Sequence, residues 1–163
     1  MSRVTFKLIG TFRKTTLNGR VSKVLVGVDG SIHSFRAAEY AMSISRKCLA
    51  KLIVVTVTYM PANSLLSQPE AVEVEAGLSE MDEARTWFES FTQRARENRI
   101  ELQTELLNSQ RPIDYVILEY AEKEGIDLIV IGTRGRSGLS KLVLGSVASG
   151  IVTYSNAPVL VVK

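Results

Sequence analysis

The stretch GTRGRSGLSKLVLGS, Gly132 to Ser146, places glycines at 132, 135 and 138, interleaves Arg134, Arg136 and Lys141, and closes on Gly145 and Ser146. Glycine permits positive φ and close backbone approach, while a helix start offers free N–H groups and positive dipole charge. Those are the requirements of a phosphate cradle. Connections between strand and helix usually take about 2 to 6 residues, and this one is about twice as long. Arg134, between the first two glycines, is the best-placed cation; Arg136 and Lys141 read as solvated charges. Ser146 is placed to cap the following helix and to donate its hydroxyl to a phosphate oxygen.

A second group lies in DGSIHSFRAAEYA, where Asp29 ends an apolar run, Gly30 makes a turn and Ser31 is placed to cap a helix. A carboxylate there can accept from ribose hydroxyls, face a metal held by phosphates, or only stabilise its turn. His33, the single histidine, has no partner in the sequence and reads as a first-turn surface residue. Cys48 is the single cysteine. It excludes an intramolecular disulfide and a cysteine-built metal site, reads as a buried small hydrophobe, and suits a reducing compartment. The P-loop, the dinucleotide fingerprint after the first strand, the nucleophile elbow and the zincin motif are all missing. Cradle residues without a general base favour binding over catalysis, and no catalytic residue or protein metal ligand is assigned.

The elements that must carry these groups alternate along the chain. KVLVGV (23–28), KLIVVTVTY (51–59), DLIVIG (127–132) and PVLVVK (158–163) are near-continuous apolar runs, as parallel strands buried on both faces require. IELQTELL (100–107) alternates apolar and polar residues and predicts an edge strand. A helix is expected from Pro112 as its first residue to Gly125, with an apolar stripe at Ile113, Val116, Ile117, Tyr120 and Ala121. Another is expected with Ser79 as N-cap and Met81, Ala84, Phe88, Phe91 and Ala95 facing the core, Trp87 half-buried beside them. The β-α-β-α-β-α-β-α-β order gives an open α/β parallel sheet with helices on both faces. Ligands then sit beyond the carboxyl ends of the strands, where the order reverses.

The chain has 163 residues and a net charge of +3, with 45% hydrophobic and 23% charged residues, values ordinary for one soluble domain. Residues 1–23 carry six basic residues and no acid, leaving 14 basic against 17 acidic in the remainder. A basic N-terminal extension, 1–21, therefore precedes a mildly acidic domain, 22–163. No apolar run approaches the ~20 residues that span a bilayer, and VTFKLIGTF is too short and polar for a signal peptide, so a cytoplasmic location is expected.

VLVGVDGS, IDLIVIGTRGRSGLSKLVLGSVA and the ending APVLVVK resemble the universal stress protein family, and the spacing Gly132-x2-Gly135-x9-Gly145-Ser146 resembles the motif of its ATP-binding branch. The resemblance implies a five-stranded parallel sheet in the order 3-2-1-4-5. It implies ATP, or AMP or ADP, as ligand: Asp29 toward ribose and phosphate, Val57 lending backbone to adenine, and Gly132, Arg134, Gly135, Gly145, Ser146 and Val147 around the triphosphate. It also implies Mg or Mn on the phosphates and a homodimer through the last strand. Ala148 stands where many ATP-binding members have a hydroxyl residue, and the basic arm lies outside the family pattern. Two other readings stay open: a slow ATPase or nucleotide-transfer enzyme on the same fold, and an adaptor whose arm binds membrane or nucleic acid.

Overall fold

The computed structural model describes residues 20–59, 71–135 and 144–163. Five strands and four helices alternate: β1 (Lys23–Gly27), α1 (Ile32–Cys48), β2 (Lys51–Tyr59), α2 (Ala71–Glu97), β3 (Leu102–Ser109), α3 (Ile113–Glu124), β4 (Leu128–Gly132), α4 (Ser146–Tyr154) and β5 (Val159–Val162). All strand pairs are parallel and the order is β3-β2-β1-β4-β5. The alternating segment is therefore an edge, and β1 and β4, which launch the two decorated loops, are neighbours.

Period-two alternation divides the strand side chains between two apolar layers. Val24, Val26, Leu52 and Val54 join α1 and the Phe91 turn of α2 on one face, while Leu25, Ile53, Val55 and Ile129 join α3 and α4 on the other. Both clusters are buried, which is why β1, β2 and β4 read as apolar throughout. Among the described residues, no helix is long and apolar enough to cross a membrane.

Several boundaries differ from the sequence expectation. α2 begins at Ala71, so Ser79 is an interior residue and not its N-cap. Five of the eight residues in the preceding AVEVEAGL are good helix formers, enough to carry the helix back past Ser79. Pro112 is the N-cap of α3, one position before the first helical residue. β3 lies two residues later than the alternating pattern suggested. Cys48 is half-buried at the end of α1, packed against the edge of the core instead of inside it. Ser31 does cap α1, accepting from the N–H of Ser34 at 3.2 Å, and Gly125 does close α3 with φ 65°.

Candidate functional site: a cleft at the carboxyl ends of β1, β2 and β4

β2 is longer than its neighbour. The last β1–β2 pair is Gly27 with Val55, whereas β2 continues beside β3 to the pair Tyr59 with Ser109. The carboxyl end of the sheet thus has a step, open on the β1 side of β2. In a parallel strand, alternate residues turn their N–H and C=O toward opposite neighbours. Leu52 N–H donates to Glu101 C=O on the β3 side, and Val55 C=O accepts from Val28 N–H on the β1 side, both at 2.8 Å. Alternation carries the backbone of Val57 to the β1 side, into the step.

At the next strand end, Asp29 organises the turn. Its Oδ1 accepts from the Ser31 N–H at 3.0 Å and the Ser31 hydroxyl at 2.6 Å. Ser31 Oγ also lies 3.3 Å from the carbonyl of Arg134, which ties the turn to the glycine loop. Asp29 Oδ2 faces Gly135: a Cβ built there would stand 2.4 Å from that oxygen. Asp29 therefore stabilises its turn and reaches the loop at once.

The glycines serve approach, not left-handed geometry. Among the described residues the positive-φ glycines are Gly30 and Gly125, so of the two properties glycine offers, Gly132, Gly135 and Gly145 use close approach. A Cβ on Gly132 would meet the His33 backbone, 2.8 Å from C and 2.9 Å from O. His33 is accordingly half-buried in the first turn of α1, its main chain pressed against the end of β4.

Two helix N-termini open on this region, and they differ. The Ser31 side chain caps α1. α4 has Gly145 as N-cap, with no side-chain cap hydrogen bond, so Ser146 is its first helical residue and not the cap expected. With no Cβ and with its own N–H held by Thr133 C=O at 2.8 Å, Gly145 leaves the first turn of α4 accessible to an external acceptor. With no cap from its own N-cap residue, the α4 N-terminus and its positive dipole end favour an anion over that of α1, which Ser31 caps.

One cavity of about 400 Å³ joins these features. Asp29, Val57, Gly132 and Arg134 line it, as do Gly135, Gly145, Ser146 and Val147. Every predicted site residue thus borders the same space. Arg136, Gly138 and Lys141 lie outside the described residues, as does the chain before Arg20. Among the described residues no group of three or more His, Cys, Asp or Glu could hold a metal ion.

The cavity also has walls that the sequence analysis did not assign. Ile113 and Ile117 of α3 line one side; Glu80 and Trp87 of α2, with Thr56 and Thr58 of β2, line another. Trp87 packs edge-on against Phe35 with centroids 5.8 Å apart, so it serves the core and the cavity together. The i, i+7 spacing puts Glu80 and Trp87 on one helix face, but only the position of α2 turns that face to the cleft.

The model of the universal stress protein family matches residues 20–163. The universal stress protein MJ0531 of Methanocaldococcus jannaschii is 32% identical over 141 residues, covering 86% of this chain and 81% of its own. UspA from Lactobacillus plantarum superposes with a TM-score of 0.72 at 25% identity, covering 90% of this chain and 100% of its own. A universal stress protein solved in complex with cAMP superposes with a TM-score of 0.59 at 26% identity, covering 88% of this chain and 98% of its own. Matched through nearly its whole length by the family model, and sharing the fold of these structures, the chain belongs to the universal stress protein family.

Proposed function

We propose that the chain is an adenine-nucleotide-binding stress-response or signalling module that takes ATP, or AMP or ADP, in this cleft. The observation that carries the reading is the pairing, in one cavity, of the α4 N-terminus, whose N-cap Gly145 has no side chain, for phosphate with the open backbone of Val57 for the base. A hydrogen-bonding strand edge can read the amino and ring-nitrogen edge of adenine, while N–H groups and Arg134 meet the phosphates. The cyclic-nucleotide complex of the similar structure supports the same class of ligand. Mg or Mn would rest chiefly on phosphate oxygens, with Asp29 the nearby carboxylate. No general base is assigned in the cleft, and little or no turnover is expected.

In this reading the protein is a cytoplasmic homodimer, joined through β5. Mass spectrometry of gently purified protein should find a co-purifying adenine nucleotide, and calorimetry with ATP and AMP should give saturable binding. Failure of both would overturn the reading.

A further inference from the structure

We propose that Trp87 is a ligand-contacting residue: its indole ring packs against one face of the nucleobase, while Ile113 and Ile117 cover the other. This rests on the nucleotide reading above. Strand N–H and C=O groups lie close to the plane of their sheet. A base whose edge meets the Val57 backbone, as a further strand would, therefore continues that plane and turns its two faces to the two apolar layers. Trp87 packs with the layer of α1 and α2, Ile113 and Ile117 with the layer of α3 and α4, and all three line the cavity.

Phe35 of α1 holds Trp87 from behind. The two rings meet edge-on, centroids 5.8 Å and planes 85° apart, and Phe35 in turn lies 6.1 Å from Phe91. Trp87 borders the cavity and Phe35 does not, so the indole stands between the core and the open space. Phe91, one helical turn further along α2, is covered to 3% exposure, whereas Trp87 is only half-buried and keeps surface for a ligand. Its place identifies which part of the ligand it meets. α2 packs on β2 and β3, and β2 is separated from β4 by β1, roughly 10 Å at ordinary strand spacing. With phosphates held after β4, the group beside Trp87 is the base.

Trp87→Leu keeps an apolar side chain against Phe35 and removes the ring. ATP affinity, measured by calorimetry, should fall about tenfold, the usual worth of an aromatic partner to a base, and Trp87→Phe should retain most of it. Affinity for inorganic tripolyphosphate, which has no base, should not change in either variant. Phe35→Leu is the control: it loosens the same ring pair from the side away from the cavity, so ATP affinity should hold. Trp87 is the single tryptophan, so wild-type emission reports the contact without any substitution. Saturating ATP should shield it from quenching by acrylamide, and tripolyphosphate should not.

Equal ATP affinity in Trp87→Leu, or equal acrylamide quenching with and without ATP, would overturn the inference while leaving the nucleotide reading standing. Parallel losses toward ATP and tripolyphosphate, or a loss in Phe35→Leu as large as that in Trp87→Leu, would overturn it too, since each means that the ring acts only within the core. A Trp87→Phe protein as weak as Trp87→Leu would deny the role to an aromatic ring. If Trp87→Leu does not fold, shielding by ATP decides. A wild type that binds no ATP would overturn the nucleotide reading and this inference together.

Discussion

Gly132 and Gly135 stand three residues apart in one motif, yet a methyl group meets different atoms at each. At Gly132 it meets main chain, His33 C and O, which cannot move without displacing α1. Gly132→Ala should therefore destabilise the fold by about 1–3 kcal/mol, the usual cost of forcing an atom into packed structure, and thermal unfolding would show it. At Gly135 the nearest atom is the end of the Asp29 side chain, held in place through Ser31. Gly135→Val should displace that carboxylate and fill the phosphate approach, lowering the melting temperature less than Gly132→Ala does, because a side-chain end gives way where main chain does not. Calorimetry should then show ATP binding lost by tenfold or more. Unchanged affinity in a folded Gly135→Val protein would refute the role given to the loop.

At the scale of an element, β5 is the exposed problem of this sheet. It pairs with β4 on one side only, and edge strands left open invite pairing with another chain. Pro158 C=O accepts from Ile129 N–H, and Val162 C=O from Thr133 N–H, so the even positions face β4. By alternation, Val159 and Val161 present their N–H and C=O to the open side. Beside this edge, Val152 and Tyr154 of α4 are exposed at 47% and 72%. Val161→Pro removes an outward N–H without touching the β4 ladder and should turn the expected dimer into a folded monomer in sedimentation. Leu160→Pro would instead break an inward bond and lower stability. A wild type that sediments as a monomer, or a dimer indifferent to Val161→Pro, would place any interface elsewhere.

For the whole molecule, four of the six basic residues of the N-terminal stretch, Arg3, Lys7, Arg13 and Lys14, precede the span matched by the family model, while Arg20 and Lys23 lie within it. All five strands, both apolar layers and the cavity lie within residues 20–163, the span matched by the family model. Removing residues 1–19 should therefore leave melting temperature and ATP affinity within error of the full chain. If the arm instead binds anionic lipid or nucleic acid, that binding should weaken steeply with salt and vanish in the truncated protein, with the cavity unaffected. A large fall in melting temperature on truncation would make the arm a docked part of the fold.

Strand identity, helix placement and the two loops were legible in the sequence because each depends on local pattern: buried parallel strands are apolar throughout, and glycine clusters mark loops. Strand order came from resemblance to a family, since nothing in a strand's own residues says which strand lies beside it. The start of α2 at Ala71 was missed because Ser79 mimics a cap, and a helix interior accepts serine at small cost. Gly145, not Ser146, is the N-cap of α4, a distinction carried by main-chain geometry. Only tertiary structure decided why the glycines are needed, since that depends on His33 and Asp29, about a hundred residues away in the chain. It alone brought Glu80 and Trp87 to the cleft and left Thr56 without a partner where Thr58 has one. Register between β2 and β3 made that difference, and register is settled by how whole strands pair.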